Sequence, residues 1–105
     1  MNKWEIYWAK IKFEDIEGVK RRPVLVLNNS VSFIMTAPVT SHVPRTEFEG
    51  EYKIKNWKKA GLEKESTVRL SKRIKLESRD FDGYIGKLDS IDIFFVEQIL
   101  SGYMK

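Results

Sequence analysis

The residues Pro23-Val24-Leu25-Val26-Leu27 form an unbroken apolar run, rich in β-branched side chains and closed by the turn-forming Asn28-Asn29-Ser30. A strand with one face in water alternates apolar and polar residues, because successive side chains point to opposite faces. A run without polar interruption is the pattern of a strand covered on both faces. This segment is therefore expected at the centre of a sheet, with other strands beside it and apolar cover over it.

The flanking segments supply both. Trp4, Ile6 and Trp8 alternate with polar or smaller residues, and the apolar parity then moves to Ala9, Ile11 and Phe13. Such a switch predicts a β-bulge or a strong bend. Glu14–Arg22 holds Gly18 among many charges and reads as a solvated loop. Ile34–Ser41 reads as a strand that Pro38 demotes in part to an edge or a bulge. Phe48, Tyr52 and Ile54 alternate with Glu49, Glu51 and Lys53, a half-exposed strand. Asn56 is placed to cap a short helical turn through Ala60, with Gly61 as its stop and Leu62 beyond it. In Thr67–Glu77, Val68, Leu70, Ile74 and Leu76 share one parity and predict a core-facing strand. Tyr84–Leu88 is the last strand.

Asp89 is expected to cap a C-terminal helix, with Asp92 in its first turn, Leu88 and Ile93 at the positions of a hydrophobic staple, and Gly102 as its stop. Ile91, Phe94, Phe95, Val96 and Ile99 give that helix a wide apolar face. A strand-rich chain followed by one terminal helix indicates an α+β, mostly β, fold with a curled sheet.

The chain has 105 residues, the size of one domain, 1–105. A domain this small gains much from dimerisation. It has no cysteine, so neither disulfides nor a thiolate metal site are available. Its longest apolar runs, Val24–Leu27 and Ile93–Val96, are too short to span a membrane. Its first residues carry no signal-peptide hydrophobic region, and a cytoplasmic location is expected. The net charge is +4, which points mildly to an anionic partner. Its distribution is more telling: 66–79 is dominated by Arg69, Lys72, Arg73, Lys75 and Arg79, whereas 80–98 is dominated by acids.

Three stretches could carry chemistry. Lys20, Arg21 and Arg22 stand just before the buried strand, where a rigid scaffold presents functional groups, and arginine offers phosphate a planar, permanently charged fork. They also read as a solvated basic turn. Thr36 and Thr40 fall on one face of a strand, where hydroxyls can donate to a phosphoryl oxygen; threonine also simply favours strands. Ser41 and His42, the sole histidine, follow, and His42 could move a proton near neutral pH or merely sit on the surface. If Thr67–Glu77 is one strand, Arg69, Ser71, Arg73 and Lys75 form a row of mostly cationic side chains spaced about 7 Å apart, able to track a single-stranded backbone or to serve as a charged outer face. A lone histidine and no cysteine leave no zinc cluster, and there is no Gly-rich phosphate loop. Glu47, Glu49 and Glu51 fall on the exposed strand face and read as solvation.

Five blocks in order, Arg21-Arg22-Pro23-Val24-Leu25-Val26-Leu27, Ala37-Pro38-Val39-Thr40-Ser41, Ala60-Gly61-Leu62, Val68-Arg69-Leu70-Ser71-Lys72 and Ile85-Gly86-Lys87-Leu88, resemble the MazF/PemK toxin family. The likeness runs from Trp4 to Leu100. It implies a small SH3-like barrel with a short helix and a C-terminal helix, a homodimer, and metal- and cofactor-independent cleavage of single-stranded RNA. It further implies a cognate antitoxin whose acidic tail fills the RNA groove. By this resemblance Arg22 and Thr40 are the catalytic positions, and Ser41 with the strand around Arg69–Arg73 lines the groove. Lys20, Arg21 and His42 join the RNA-binding set. The acidic Glu14-Asp15-Ile16-Glu17 departs from the Gly- and Gln-containing loop of many members, and basic Lys72 and Arg73 replace more neutral or acidic residues. The sequence preference and the general base are therefore left open, with His42 and Glu17 as candidates for the latter.

RNA carries its own nucleophile, the 2′-hydroxyl, which explains how a chain without a metal site can be a nuclease. Two other readings share the fold: a gyrase poison of the CcdB kind without catalysis, and a non-catalytic RNA- or protein-binding barrel.

Overall fold

The computed structural model describes residues 1–12, 18–41 and 50–103. Among these residues, seven strands and one α-helix follow in the order β1 (Glu5–Lys12), β2 (Val19–Asn29), β3 (Ile34–Thr40), β4 (Glu51–Lys53), β5 (Thr67–Arg69), β6 (Ile74–Leu76), β7 (Phe81–Lys87) and α1 (Ser90–Tyr103), with a 3-10 turn at Ser78–Asp80. The strands pair antiparallel in the order β4-β5-β3-β2-β1-β7, and β6 shares the outer edge of β3 with β5. The sheet is mostly β, curled but not closed, since β4 and β7 do not pair.

The apolar run of β2 lies between β1 and β3, as its lack of polar residues requires. Its two faces feed different cores. Leu25 and Leu27 join Ile6, Ala37, Val39, Val68, Leu70 and Val96, while Val24 joins Ala9, Ile11 and Leu76. This explains the parity switch in β1: Ile6 serves the first core and Ala9 and Ile11 the second. The β1–β2 ladder runs unbroken from Ile6 opposite Leu25 to Lys12 opposite Val19, and the expected irregularity falls instead on the β7 side, where the register shifts twice.

Several boundaries differ from expectation. β2 begins at Val19, so Lys20, Arg21 and Arg22 are strand residues paired with β1 rather than loop residues. β3 is an internal strand despite Pro38. The proline pairs with Val24 on one side, and on the other it falls in the gap between the β6 pairing at 34–36 and the β5 pairing at 39–40, where a missing N–H costs no ladder bond. Thr67–Glu77 is two short strands joined by a turn, closed by the Lys72 N–H donating to Arg69 O at 3.1 Å. Val68, Leu70 and Leu76 are buried as expected, but the chain reverses between them. The last strand starts at Phe81 rather than Tyr84, and α1 continues past Gly102 to Tyr103. The expected short helix after Asn56 is a single hydrogen-bonded turn, Ala60 N–H to Asn56 O, ended by Gly61 at φ +91°.

Helix α1 packs Val96, Ile93, Ile99 and Leu100 on the larger core, leaving Ile91 and Phe94 exposed. Its Asp92 is fully buried. A buried carboxylate needs donors, and three converge on it: the Tyr52 hydroxyl at 2.5 Å and the Lys55 and Asn56 N–H groups at 2.8 and 2.9 Å. The Asn56 amide, instead of capping its own turn, donates to Asp89 at 2.7 Å. No helix of the described residues is long and apolar enough to cross a membrane.

Candidate nucleic-acid groove

The ends of β2 and β3 and the turns facing them enclose a groove lined by Arg21, Arg22, Thr40, Ser41, Arg69 and Lys72, with Trp8 and Tyr84 at its β1–β7 side and the 61–66 turn opposite. Among the described residues, five cations, Arg21, Arg22, Lys64, Arg69 and Lys72, border it against one acid, Glu63. A cleft dominated by one sign of charge concentrates ligands of the other.

Arg22 is exposed on β2, on a strand whose next residues are anchored in both cores. Carried two residues past its last pair, Val24 with Pro38, the β2–β3 register would set Arg22 opposite Thr40. Thr40 is half-buried and pairs with Thr67 of β5. Thr36, on the same face of β3, is not part of the groove: it is fully buried and its hydroxyl donates to Ile74 O at 2.8 Å.

Arg69 reaches the groove from β5 and is held from behind. Its Nε donates to Glu51 Oε2 at 3.2 Å, across the β4–β5 ladder, and the Glu51 side chain is only 2% exposed. Glu51 is thus an internal counter-ion rather than a solvating surface charge. The row of Arg69, Ser71, Arg73 and Lys75 does not exist as such, because the turn at 70–73 breaks it. Arg73 Nε donates to Leu70 O at 3.4 Å, and Lys75 lies over the Phe33 ring at 4.8 Å. Lys20, Ser71 and Arg73 are exposed and do not border the groove, whereas Arg21, Arg22, Thr40, Ser41 and Arg69 do. His42 and Glu17 lie outside the described residues.

Arg21 is not a peripheral charge. Its guanidinium lies over the Trp8 ring, 4.3 Å from the centroid, and its Nε donates to Asp82 Oδ1 at 2.8 Å. Behind Tyr84 stands Tyr7, with ring centroids 5.3 Å apart, and the Tyr7 phenol is pushed above its ordinary pKa by burial, by its hydrogen bond to Glu5 and by that residue's charge. Sequence reasoning missed Trp8, Tyr84 and Lys64 as groove residues. Trp8 carries the same alternating signal as a core aromatic, so pattern alone does not separate the two. Among the described residues no three His, Cys, Asp or Glu side chains are grouped to hold a metal ion.

Comparison with known proteins agrees with this architecture. A family model described as the PemK-like, MazF-like toxin of type II toxin–antitoxin systems matches residues 2–102. Among solved structures, an endoribonuclease in complex with its cognate antitoxin from a mycobacterial species superposes with a TM-score of 0.75 at 11% identity, covering 97% of this chain and 92% of that one. The Mycobacterium tuberculosis toxin MazF-mt6 gives 0.70 at 21% identity, with 93% of each chain covered. A MazE–MazF crystal structure from Deinococcus radiodurans gives 0.68 at 20% identity, covering 99% of this chain and 95% of that one. These likenesses speak to the fold. Comparison with curated protein sequences gives no match.

Proposed function

The chain belongs to the PemK-like, MazF-like toxin family of type II toxin–antitoxin systems, and on that premise we propose that it is an endoribonuclease that cuts single-stranded RNA without a metal ion. The observation that carries this reading is the joint lining of one cationic groove by Arg22, Thr40 and Arg69. The RNA 2′-hydroxyl attacks the adjacent phosphorus, the P–O5′ bond breaks, and a 2′,3′-cyclic phosphate and a 5′-hydroxyl result. Arg22 stabilises the extra negative charge on the phosphorane, a task for a preorganised donor fork. The Thr40 hydroxyl donates to a non-bridging oxygen. Arg69, backed by Glu51, and Ser41 hold the flanking backbone.

In this reading the protein acts in the cytoplasm as a homodimer, and an antitoxin with an acidic tail occupies the groove when the toxin is silent. The groove's excess of cations supports an acidic occupant. The test is cleavage of a single-stranded RNA in EDTA, beside the same RNA with a 2′-deoxy sugar at the mapped cut site. Cutting of the first and not the second, with a cyclic phosphate end, is the expected result. Cleavage of the deoxy substrate, or loss of activity in EDTA, overturns the mechanism. Gyrase inhibition with RNA left intact would select the CcdB-like reading, and tight RNA binding without cleavage the non-catalytic barrel.

A further inference from the structure

Three strands combine to hold Arg21. It stands on β2 and reaches across β1: its guanidinium carbon lies 4.3 Å from the centroid of the Trp8 ring, and its Nε donates to Asp82 Oδ1 of β7 at 2.8 Å. The β1–β7 ladder provides for this contact. Trp8 pairs with Gly83 and Ala9 with Phe81, so Asp82 is the extra residue of a bulge, a device that re-aims a side chain. Gly83 puts no side chain beside the stack, where a Cβ would stand 3.4 Å from Trp8 Cδ1 and 3.6 Å from Arg21 Nη2. Stability is a weak reason for this arrangement. The Arg21 and Asp82 side chains are 49% and 30% exposed, and ion pairs in contact with water contribute little.

What the arrangement does is fix the plane of the guanidinium. Arg21 borders the groove, and its terminal Nη1 and Nη2 groups have no acceptor among the described residues. A phosphate accepts hydrogen bonds from many directions and needs only a nearby cation. A base edge accepts in its own plane, so a fork that reads a base must be held. Unpaired RNA bases offer their edges to such groups. Guanine presents two neighbouring acceptors, O6 and N7, on an edge without a donor, which matches an arginine fork.

We propose that Arg21 is a specificity-determining residue that reads a guanine of the single-stranded RNA, its two terminal nitrogens donating to O6 and N7, with Trp8 and Asp82 as its positioning residues. This rests on the ribonuclease reading of the groove and names the base that its β1–β7 side selects. Arg22 then addresses the phosphate, and its neighbour Arg21 addresses a base.

The test uses the full chain. Cleavage of a random single-stranded RNA pool, with the cut ends sequenced, is expected to show guanine preferred at one fixed position from the cut. An oligonucleotide carrying 7-deazaguanine there, which keeps O6 and loses N7, should be cut about tenfold more slowly by wild type, within the range of one base-edge contact. Arg21→Ala should lose the preference at that position only and cut the guanine and 7-deazaguanine substrates alike. Arg21→Lys should lose most of it, because an ammonium lacks the fork, and Asp82→Asn should lose part of it. Thermal melting of each variant separates these effects from misfolding. Wild type that cuts both substrates equally, or Arg21→Ala that slows every substrate by one factor and keeps the wild-type preference, overturns the assignment while leaving the ribonuclease reading intact. Wild-type protein that neither binds nor cuts RNA overturns both.

Discussion

The carbonyl oxygen of Ala60 stands 2.0 Å from the place a Cβ on Gly86 would occupy, and Ile85 O stands 2.3 Å from the corresponding point on Gly61. Two glycines on different elements thus let the 60–61 turn press against β7, backbone to backbone. This approach sets the 61–66 wall of the groove against Ile85. Gly86→Ala and Gly61→Ala should each cost about 2–4 kcal/mol, because main chain must move and Gly61 is also held at a positive φ. Denaturant unfolding measures the loss. A variant within 0.5 kcal/mol of wild type, about the size of an ordinary surface change, would show that the turn yields freely.

Arg22→Ala should lower single-turnover cleavage by about 100-fold or more, the scale of removing one preorganised donor. Its stability should stay within about 0.5 kcal/mol of wild type, since the side chain is exposed. Arg22→Lys should recover only part of the rate, because an ammonium keeps the charge and loses the fork. Equal rates for Arg22→Ala and wild type would remove it from the mechanism, and a melting collapse would make it structural.

Lys72→Ala should weaken RNA binding alike on all sequences and lower the slope of log affinity against log salt by about 0.7, the value for one phosphate contact to a single strand. Lys20→Ala, outside the groove, should leave that slope unchanged. Binding titrations from low to moderate salt compare them, and equal slopes for the two variants would contradict the groove's placement.

The Tyr52 phenol is held well above its ordinary pKa, first by burial, then by its hydrogen bond to Asp92 and by that carboxylate's charge. The folded chain therefore keeps this proton where the unfolded chain, with an ordinary phenol near 10, releases it. The contribution is complete below about pH 10 and is lost as pH rises beyond it. Tyr52→Phe should flatten this alkaline loss and cost about 1.5–3 kcal/mol at neutral pH, the worth of a hydrogen bond to a charged group. Chemical denaturation at neutral and alkaline pH for both proteins checks the slope.

Much of the fold was legible because hydrophobic pattern reports burial directly. The Val24–Leu27 run announced a central strand, and the parity change from Ile6 to Ala9 and Ile11, which reads as a bulge or a bend, reflects two separate cores. What pattern could not report was pairing partners. Pro38 reads as an edge residue until two strands are seen to share one side of β3 and to part around it. Val68 to Leu76 keeps a strand's parity through a turn, since parity does not record a reversal of the chain. The five sequence blocks led to Arg22 and Thr40. Arg21, next in sequence and of the same type, differs only through Trp8 and Asp82, a difference no local pattern carries. Glu51 read as solvated because alternation placed it on the outer face, and alternation does not record Arg69, which lies opposite it in the β4–β5 ladder and holds it.

The break around Pro38 also marks where β3 changes partner, from β6 to β5. β1 and β2 are joined by seven residue pairs, whereas β5, carrying β4 with it, hangs on β3 through two, Val39 with Val68 and Thr40 with Thr67. The Tyr52–Asp92 contact ties that outer ribbon to the first turn of α1. The ribbon is therefore joined to β3 by a short ladder, while Val68 and Leu70 carry it into the same core as Ile6 and Leu25. Arg69 comes to the groove on that ribbon and Arg22 on the central ladder, so the groove is the seam at which the two meet.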